Sequence, residues 1–210
     1  MGRYHASMTT TTDGRSQGTP HQYHHGDLRR ALLEAAVESI RETGPAAVSL
    51  RDLARRVGVS HAAPAHHFGD KTGLLTAVAA EGYRRLRSEI EIAYSRTGSF
   101  ADVGVAYVRF AVDERPYFEV MFRPELYRRD DLELQKALTA IDETVFGAVG
   151  SMLGDAPDER VRIAGMAAWS LVHGLATLLN GGNLPPDLSR DPEALTRAIG
   201  AAAFGSARGA

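Results

Sequence analysis

Between Val48 and Leu75 the apolar side chains recur at helical spacing, pause at a glycine and then resume. Leu50, Leu53, Ala54 and Val57 fall at i, i+3, i+4 and i+7, which puts them on one face of an amphipathic helix. Ser49 stands before that helix as an N-cap, with Asp52 at the capping-box position. Gly58 tolerates the left-handed backbone that ends a helix, and Val59 is placed to fold back onto the apolar face. Ser60 then offers an N-cap to a second short helix carrying His61, Ala62, Ala63, His66 and His67, with Phe68 as its anchor. A helix, a Gly-containing turn and a short second helix form the unit that lays a recognition helix in the DNA major groove.

The same periodicity continues on both sides. Before this unit a helix runs from Gly26 or Asp27 to Thr43, burying Leu33, Ala36, Val37 and Ile40, and Gly44-Pro45 stops it. After it Asp70 caps a long helix, Lys71 to Ser95, with Leu74, Leu75, Val78, Tyr83, Leu86 and Ile90 inward. Further helices are predicted over Phe100–Glu114, Tyr117–Phe122, Leu132–Leu153, Asp158–Asn180 and Pro192–Phe204. No segment alternates with a period of two and no internal repeat is present, so the fold class is all-α. Three units are expected: an arm over 1–22, a helix-turn-helix unit over 23–71, and a larger helical unit over 72–205. The arm is rich in Thr, Ser, Gly and His and nearly devoid of apolar side chains, which predicts disorder.

Composition narrows the picture only where it is read along the chain. The whole carries a net charge of −2. From Tyr23 to Lys71 seven basic side chains stand against six acidic ones, with five histidines, and from Thr72 onward fifteen stand against nineteen. A more positive N-terminal unit ahead of an acidic remainder has the sign expected for nucleic-acid binding. The chain has no cysteine, which excludes disulfide and thiolate chemistry and fits a cytoplasmic location. The N-terminus lacks the apolar run of a secretory signal. The apolar stretch Ile163–Leu179 is near the minimum for a membrane span, but it contains His173 and follows Arg160 and Arg162. A buried helix of a soluble protein is the expectation, with no membrane partner.

Several segments in order resemble the TetR family of transcriptional regulators: YHHGDLRRALLEAAVESI in the first helix, SLRDLARRVGVS through the second helix and turn, and HFGDKTGLL opening the fourth. Downstream, Trp169, His173 and Gly174, preceded by FEVMFRPEL over 118–126, resemble the C-terminal domain of a subgroup with a Trp–His–Gly signature. The resemblance implies a homodimer that reads palindromic double-stranded operator DNA, dimerises through its last two helices and binds a small apolar effector. Most such proteins are repressors, released when ligand shifts the fourth helix and with it the recognition helices. Two positions depart from the family pattern. Ala65 stands where an aromatic phosphate contact is usual, and Pro64 lies within the recognition helix. Counted from a cap at Ser60, Pro64 lacks the N–H for the first intrahelical bond and crowds the Ser60 carbonyl.

The candidate DNA contacts follow from that placement. His61, Ala62 and Ala63 at the front of the third helix are candidates for base edges; only His61 can hydrogen-bond a base, and the alanines can touch thymine methyls. Ser49, Arg51, Arg55, Ser60, His66, His67 and Lys71 are suited to phosphates, although a solvated helix face is the other reading of the arginines, stronger for Arg55 than for Arg51. With no Arg, Asn or Gln on this helix, much of the specificity is expected from DNA shape. His66 and His67 are adjacent, so they diverge by about 100° on a helix. Without cysteine or a suitably spaced carboxylate no metal site or cofactor is expected.

The candidate ligand-binding residues are Tyr107, Phe110, Phe118, Met121, Phe122, Phe146, Trp169 and His173, with Trp169 and His173 as polar anchors of an apolar pocket. An ordinary packed core is the better explanation of any single one of them, and the pocket rests on their number taken together. Ala164, Ala167, Ala168, Gly174 and Ala176, together with Leu195, Ile199 and Ala202, suit a two-fold helical interface. No catalytic residues are assigned, because no nucleophile motif or phosphate loop accompanies the acidic side chains. The alternative functions are a ligand-independent architectural DNA binder and an enzyme using the C-terminal pocket.

Overall fold

The computed structural model describes residues 25–204; the arm expected over 1–22 lies outside them. The described residues form nine α-helices and one 3₁₀ turn, with no strand. Three helices make the N-terminal unit: α1 (His25–Thr43), α2 (Leu50–Val57) and α3 (Ala63–Phe68), with the 3₁₀ turn Pro45–Ala47 between the first two. The long α4 (Lys71–Thr97) leads into α5 (Phe100–Asp113), α6 (Arg115–Met121), α7 (Leu132–Leu153), α8 (Asp158–Asn180) and α9 (Pro192–Phe204). Helix α4 is the axis of the molecule, packing on α5, α6 and α7, while α8 and α9 lie outside α5.

The expected core faces are in place. Leu33, Ala36, Val37 and Ile40 of α1, Leu53 and Ala54 of α2 and all six inward positions named for α4 are buried. Phe68 anchors α3, with the Arg29 guanidinium 5.3 Å from its ring centroid, a cation–π contact worth about 0.5–1 kcal/mol. The apolar core runs unbroken from Leu32 to Ala176. It crosses the boundary expected at Lys71 because α4 belongs to both units. Glycine is required where α3 meets α4. A Cβ on Gly73 would lie 2.0 Å from the Phe68 carbonyl oxygen, so the first turn of α4 can approach the end of α3 only without a side chain.

Three expectations change. Helix α3 begins at Ala63 rather than after Ser60: the Ser60 carbonyl accepts from the Ala63 N–H at 3.0 Å, and Ala62 takes the N-cap position without a side-chain bond. Pro64 therefore falls in the first turn and is buried there, where its missing N–H has no intrahelical partner to lose. Ser49 occupies the N-cap position of α2, but its hydroxyl makes no cap bond, and Asp52 pairs with Arg55 at 3.2 Å.

The third change concerns α8, which is not a buried helix. Of its 23 residues only Gly165, Ala168, Leu175 and Ala176 are buried, and Ile163, Met166 and Leu178 are exposed at 63%, 52% and 43%. By length and composition alone this helix is apolar enough to cross a membrane.

Candidate functional site

Two sites emerge, one at each end of α4. At its N-terminal end the helix-turn-helix is tightly closed. Gly58 adopts φ 75° and ψ 35° and its N–H caps α2, while the Val59 N–H returns to the Ala54 carbonyl at 2.9 Å. Asp70 caps α4 by accepting from the Gly73 N–H at 2.8 Å. Lys71 reaches back across the unit and donates to the Ala46 carbonyl at 2.5 Å, tying α4 to the 3₁₀ turn.

The ten residues expected to touch DNA differ in how free they are. His61 and Ala62 lie in the exposed turn ahead of α3, and Ala63 opens the helix half-buried. Ser60 and His66 are exposed, and Ser49 is half-buried. His67 is half-buried, with its ring 6.3 Å from Phe68 and 5.6 Å from His66. Arg55 is held by Asp52. Arg56 makes a two-pronged pair with Glu42 of α1, at 3.0 and 2.5 Å, and hydrogen bonding to Arg56 holds the Glu42 carboxyl below its ordinary range. Arg51 is exposed and makes no hydrogen bond or ion pair with any described residue. Of the three arginines on α2 it is the one whose charge is unspent.

The second site is a cavity of about 290 Å³ between α4, α5, α7 and α8. Tyr83, Leu86 and Ile90 of α4 form one wall. Tyr107, Phe122, Phe146 and Trp169 also line it, as the sequence suggested, and the remaining wall is largely aliphatic, with Val103, Leu138 and Val172 among it. Phe110, Phe118 and Met121 lie outside the lining and are buried core residues, at 3%, 7% and 0% exposure.

His173 also lies outside the lining. Its Nδ1 is 2.9 Å from the Tyr107 hydroxyl, and its ring sits 4.5 Å from Phe122, 5.3 Å from Trp169 and 5.4 Å from Phe118. It therefore positions the aromatic wall instead of facing the cavity. Burial pushes the His173 pKa below the ordinary imidazole value and the Tyr107 pKa above the ordinary phenol value. Most of the lining was not among the sequence candidates, including the α4 wall and the aliphatic positions, and one charged residue was missed with them. Asp142 of α7 borders the cavity, and nothing in its local sequence separates it from the chain's other acids.

A chain of contacts joins the two sites. Phe122 lines the cavity and is followed by the connection between α6 and α7. The Met121 carbonyl accepts from the hydroxyls of Tyr83, at 3.0 Å, and of Tyr127, at 2.9 Å. Next along the chain, the Arg128 backbone N–H donates to Thr76 of α4 at 3.0 Å, and its guanidinium pairs with Asp70 at 2.7 Å. The carboxylate that caps α4 beside the recognition helix is thus tied to the segment leaving the cavity wall.

Comparison with known proteins agrees with this arrangement. Residues 32–78 match the family model described as bacterial regulatory proteins, tetR family. Residues 100–202 match one described as tetracyclin repressor-like, C-terminal domain. The chain is 28% identical over 184 residues to the HTH-type transcriptional regulator BetI of Escherichia coli, covering 81% of this chain and 87% of that protein. It superposes on a Rhodococcus protein of unknown function with a TM-score of 0.74 at 33% identity, covering 89% and 98% of the two chains. The fold is shared with LfrR of Mycobacterium smegmatis, solved in complex with proflavine, at a TM-score of 0.58, 20% identity and coverage of 83% and 94%.

Proposed function

The chain belongs to the TetR family of DNA-binding transcriptional regulators, and from that premise we propose that it is a homodimeric repressor released from a palindromic operator by a small ligand. The observation that carries this reading is the double role of α4. Its first turn abuts α3 across Gly73, and its later turns form a wall of the cavity. A ligand that enlarges the cavity displaces α4 and changes the distance between the two recognition units, which a rigid inverted repeat does not tolerate. The tie from Phe122 through Arg128 to Asp70 offers a second path for the same displacement. As a transcriptional regulator the chain binds DNA rather than catalysing a reaction.

The exposed strip of α8 supports dimerisation through α8 and α9. Ile163, Met166, Ala167, Gly174 and Leu178 share one outer face. A Cβ on Gly174 would meet nothing within 4 Å in the protomer, so packing inside one chain gives no reason for glycine there, whereas close approach of a second helix does. Trp169, His173 and Gly174 then unite two tasks on one helix: the first two shape the aromatic wall and the third faces the partner. This division fits the Trp–His–Gly subgroup.

On the DNA side, Arg51, Lys71 and His66 are assigned to phosphates, with Ser49, Ser60, Arg55 and His67 at the rim. His61, Ala62 and Ala63 are assigned to the major groove. Selection against random duplexes, repeated with a panel of small ligands, tests the proposal. The expected result is an inverted repeat bound by two chains and released by at least one ligand. A chain that stays monomeric at micromolar concentration, or that enriches no sequence, overturns it.

A further inference from the structure

Asp142 carries the only carboxylate among the residues lining the 290 Å³ cavity, which include no basic side chain. It lies on α7, exposed to solvent, and its carboxylate forms no hydrogen bond or ion pair with any described residue. Apolar neighbours on its cavity side partly desolvate it and hold its carboxyl above the ordinary aspartate range. Six aromatic side chains share the lining with it: Tyr83, Phe100, Tyr107, Phe122, Phe146 and Trp169. Their ring faces carry negative potential and add to the attraction for a cation.

The hydrogen-bonding groups that could serve an anion are already engaged, the Trp169 indole with the Tyr107 hydroxyl among them. The Tyr83 hydroxyl donates to the Met121 carbonyl and the Tyr107 hydroxyl is paired with His173. No lysine, arginine or histidine lines the space. A neutral hydrocarbon would fill the walls and leave the carboxylate facing it unpaired. An anion would meet like charge with no cation in compensation.

Resting on the reading that this cavity holds the effector, we propose that the effector is a monocation with a compact aromatic or branched apolar body. Its charge sits beside Asp142 and its body lies among the aromatic rings. Specificity then has two parts. Shape excludes what the aliphatic walls cannot hold, and the single carboxylate sorts by charge among molecules of equal shape.

Titration of the full chain with three probes of similar size tests this: benzyltrimethylammonium, its uncharged carbon isostere neopentylbenzene, and 4-tert-butylbenzoate. Affinity is read by calorimetry and by the rise in melting temperature. The cation is expected to bind about tenfold more tightly than the neutral isostere, and the anion most weakly. Asp142→Asn, isosteric and exposed, is expected to remove that tenfold preference while changing the neutral probe's affinity less than twofold. Asp142→Glu should retain the preference.

Equal binding of cation and isostere, or equal effects of Asp142→Asn on both, overturns the proposal and leaves the cavity as an apolar ligand site. Binding of the neutral or anionic probe alone does the same. Failure of all three probes to bind overturns both this proposal and the reading of the cavity as an effector site.

Discussion

Replacing Gly73 by alanine should damage stability and DNA binding together, because the added methyl meets backbone. The Cβ would stand 2.0 Å from the Phe68 carbonyl oxygen and 3.2 Å from an Arg128 guanidinium nitrogen. Relief of the first contact requires the end of α3 and the first turn of α4 to separate by about 1 Å or more, since no side-chain rotation moves a carbonyl. Overpacking of this kind costs about 1–3 kcal/mol. The same shift stretches the Asp70 cap on the Gly73 N–H, worth about 1 kcal/mol. Alanine returns at most about 1 kcal/mol in helix propensity.

The net expectation is a loss of about 2 kcal/mol, or a fall in melting temperature of about 4–8 °C for a chain of this size. Operator affinity should fall by about tenfold, because α3 is carried out of position. Gly147→Ala is the control: it lies inside α7 with nothing within 4 Å of the new Cβ, and should gain about 0.5–1 kcal/mol. Thermal melts and fluorescence anisotropy on a selected operator measure both effects. A Gly73→Ala chain that melts with the wild type and binds DNA equally well would show that this contact does not set the spacing of α3 and α4.

Other substitutions probe the remaining assignments. Lys71→Ala should weaken binding to every DNA sequence and lower the salt slope by about one phosphate contact, whereas His61→Ala should change sequence preference; unaltered binding in both would refute the placement of α3. Gly174→Ala should stabilise the protomer by about 0.5–1 kcal/mol yet weaken the dimer, as read by sedimentation; a variant that melts higher and dimerises normally removes this face of α8 from the interface. Burial lowers the His173 pKa from 6.5, so the unfolded chain takes up a proton before the folded chain does as pH falls. Its stabilising contribution is full above that value and declines as pH drops through it. His173→Gln should flatten this acid limb in melts between pH 7.5 and 5, and superimposable profiles would contradict the burial argument.

Local pattern revealed most of the fold because helices declare themselves by period. The faces of α1, α2 and α4 were readable from leucine and alanine spacing alone, and Gly58 and Asp70 marked their ends. The start of α3 was not readable, since Ser60 is the better cap by chemistry, and only the turn from Ser60 to Ala63 shows where the helix opens. Helix α8 was misjudged for a related reason. Apolar residues on both faces look the same whether the second face meets its own chain or another. In the candidate site, four aromatic lining residues followed from composition, but three core neighbours could not be told from them before the packing of α5 and α6 was known. Asp142 was hidden most completely, because a carboxylate acquires meaning only from the walls that surround it.

In the proposed dimer, a bare α8 strip that a second copy covers would make the chain's stability a function of its own abundance. Association stabilises the folded state by mass action, so dilute chains spend more time with Ile163, Met166 and Leu178 uncovered. Such chains are the ones that proteolysis and chaperones remove first. The regulator's population would thin fastest where it is already scarce, and the same uncovered face would thereby tend to make its presence in a cell closer to all or none.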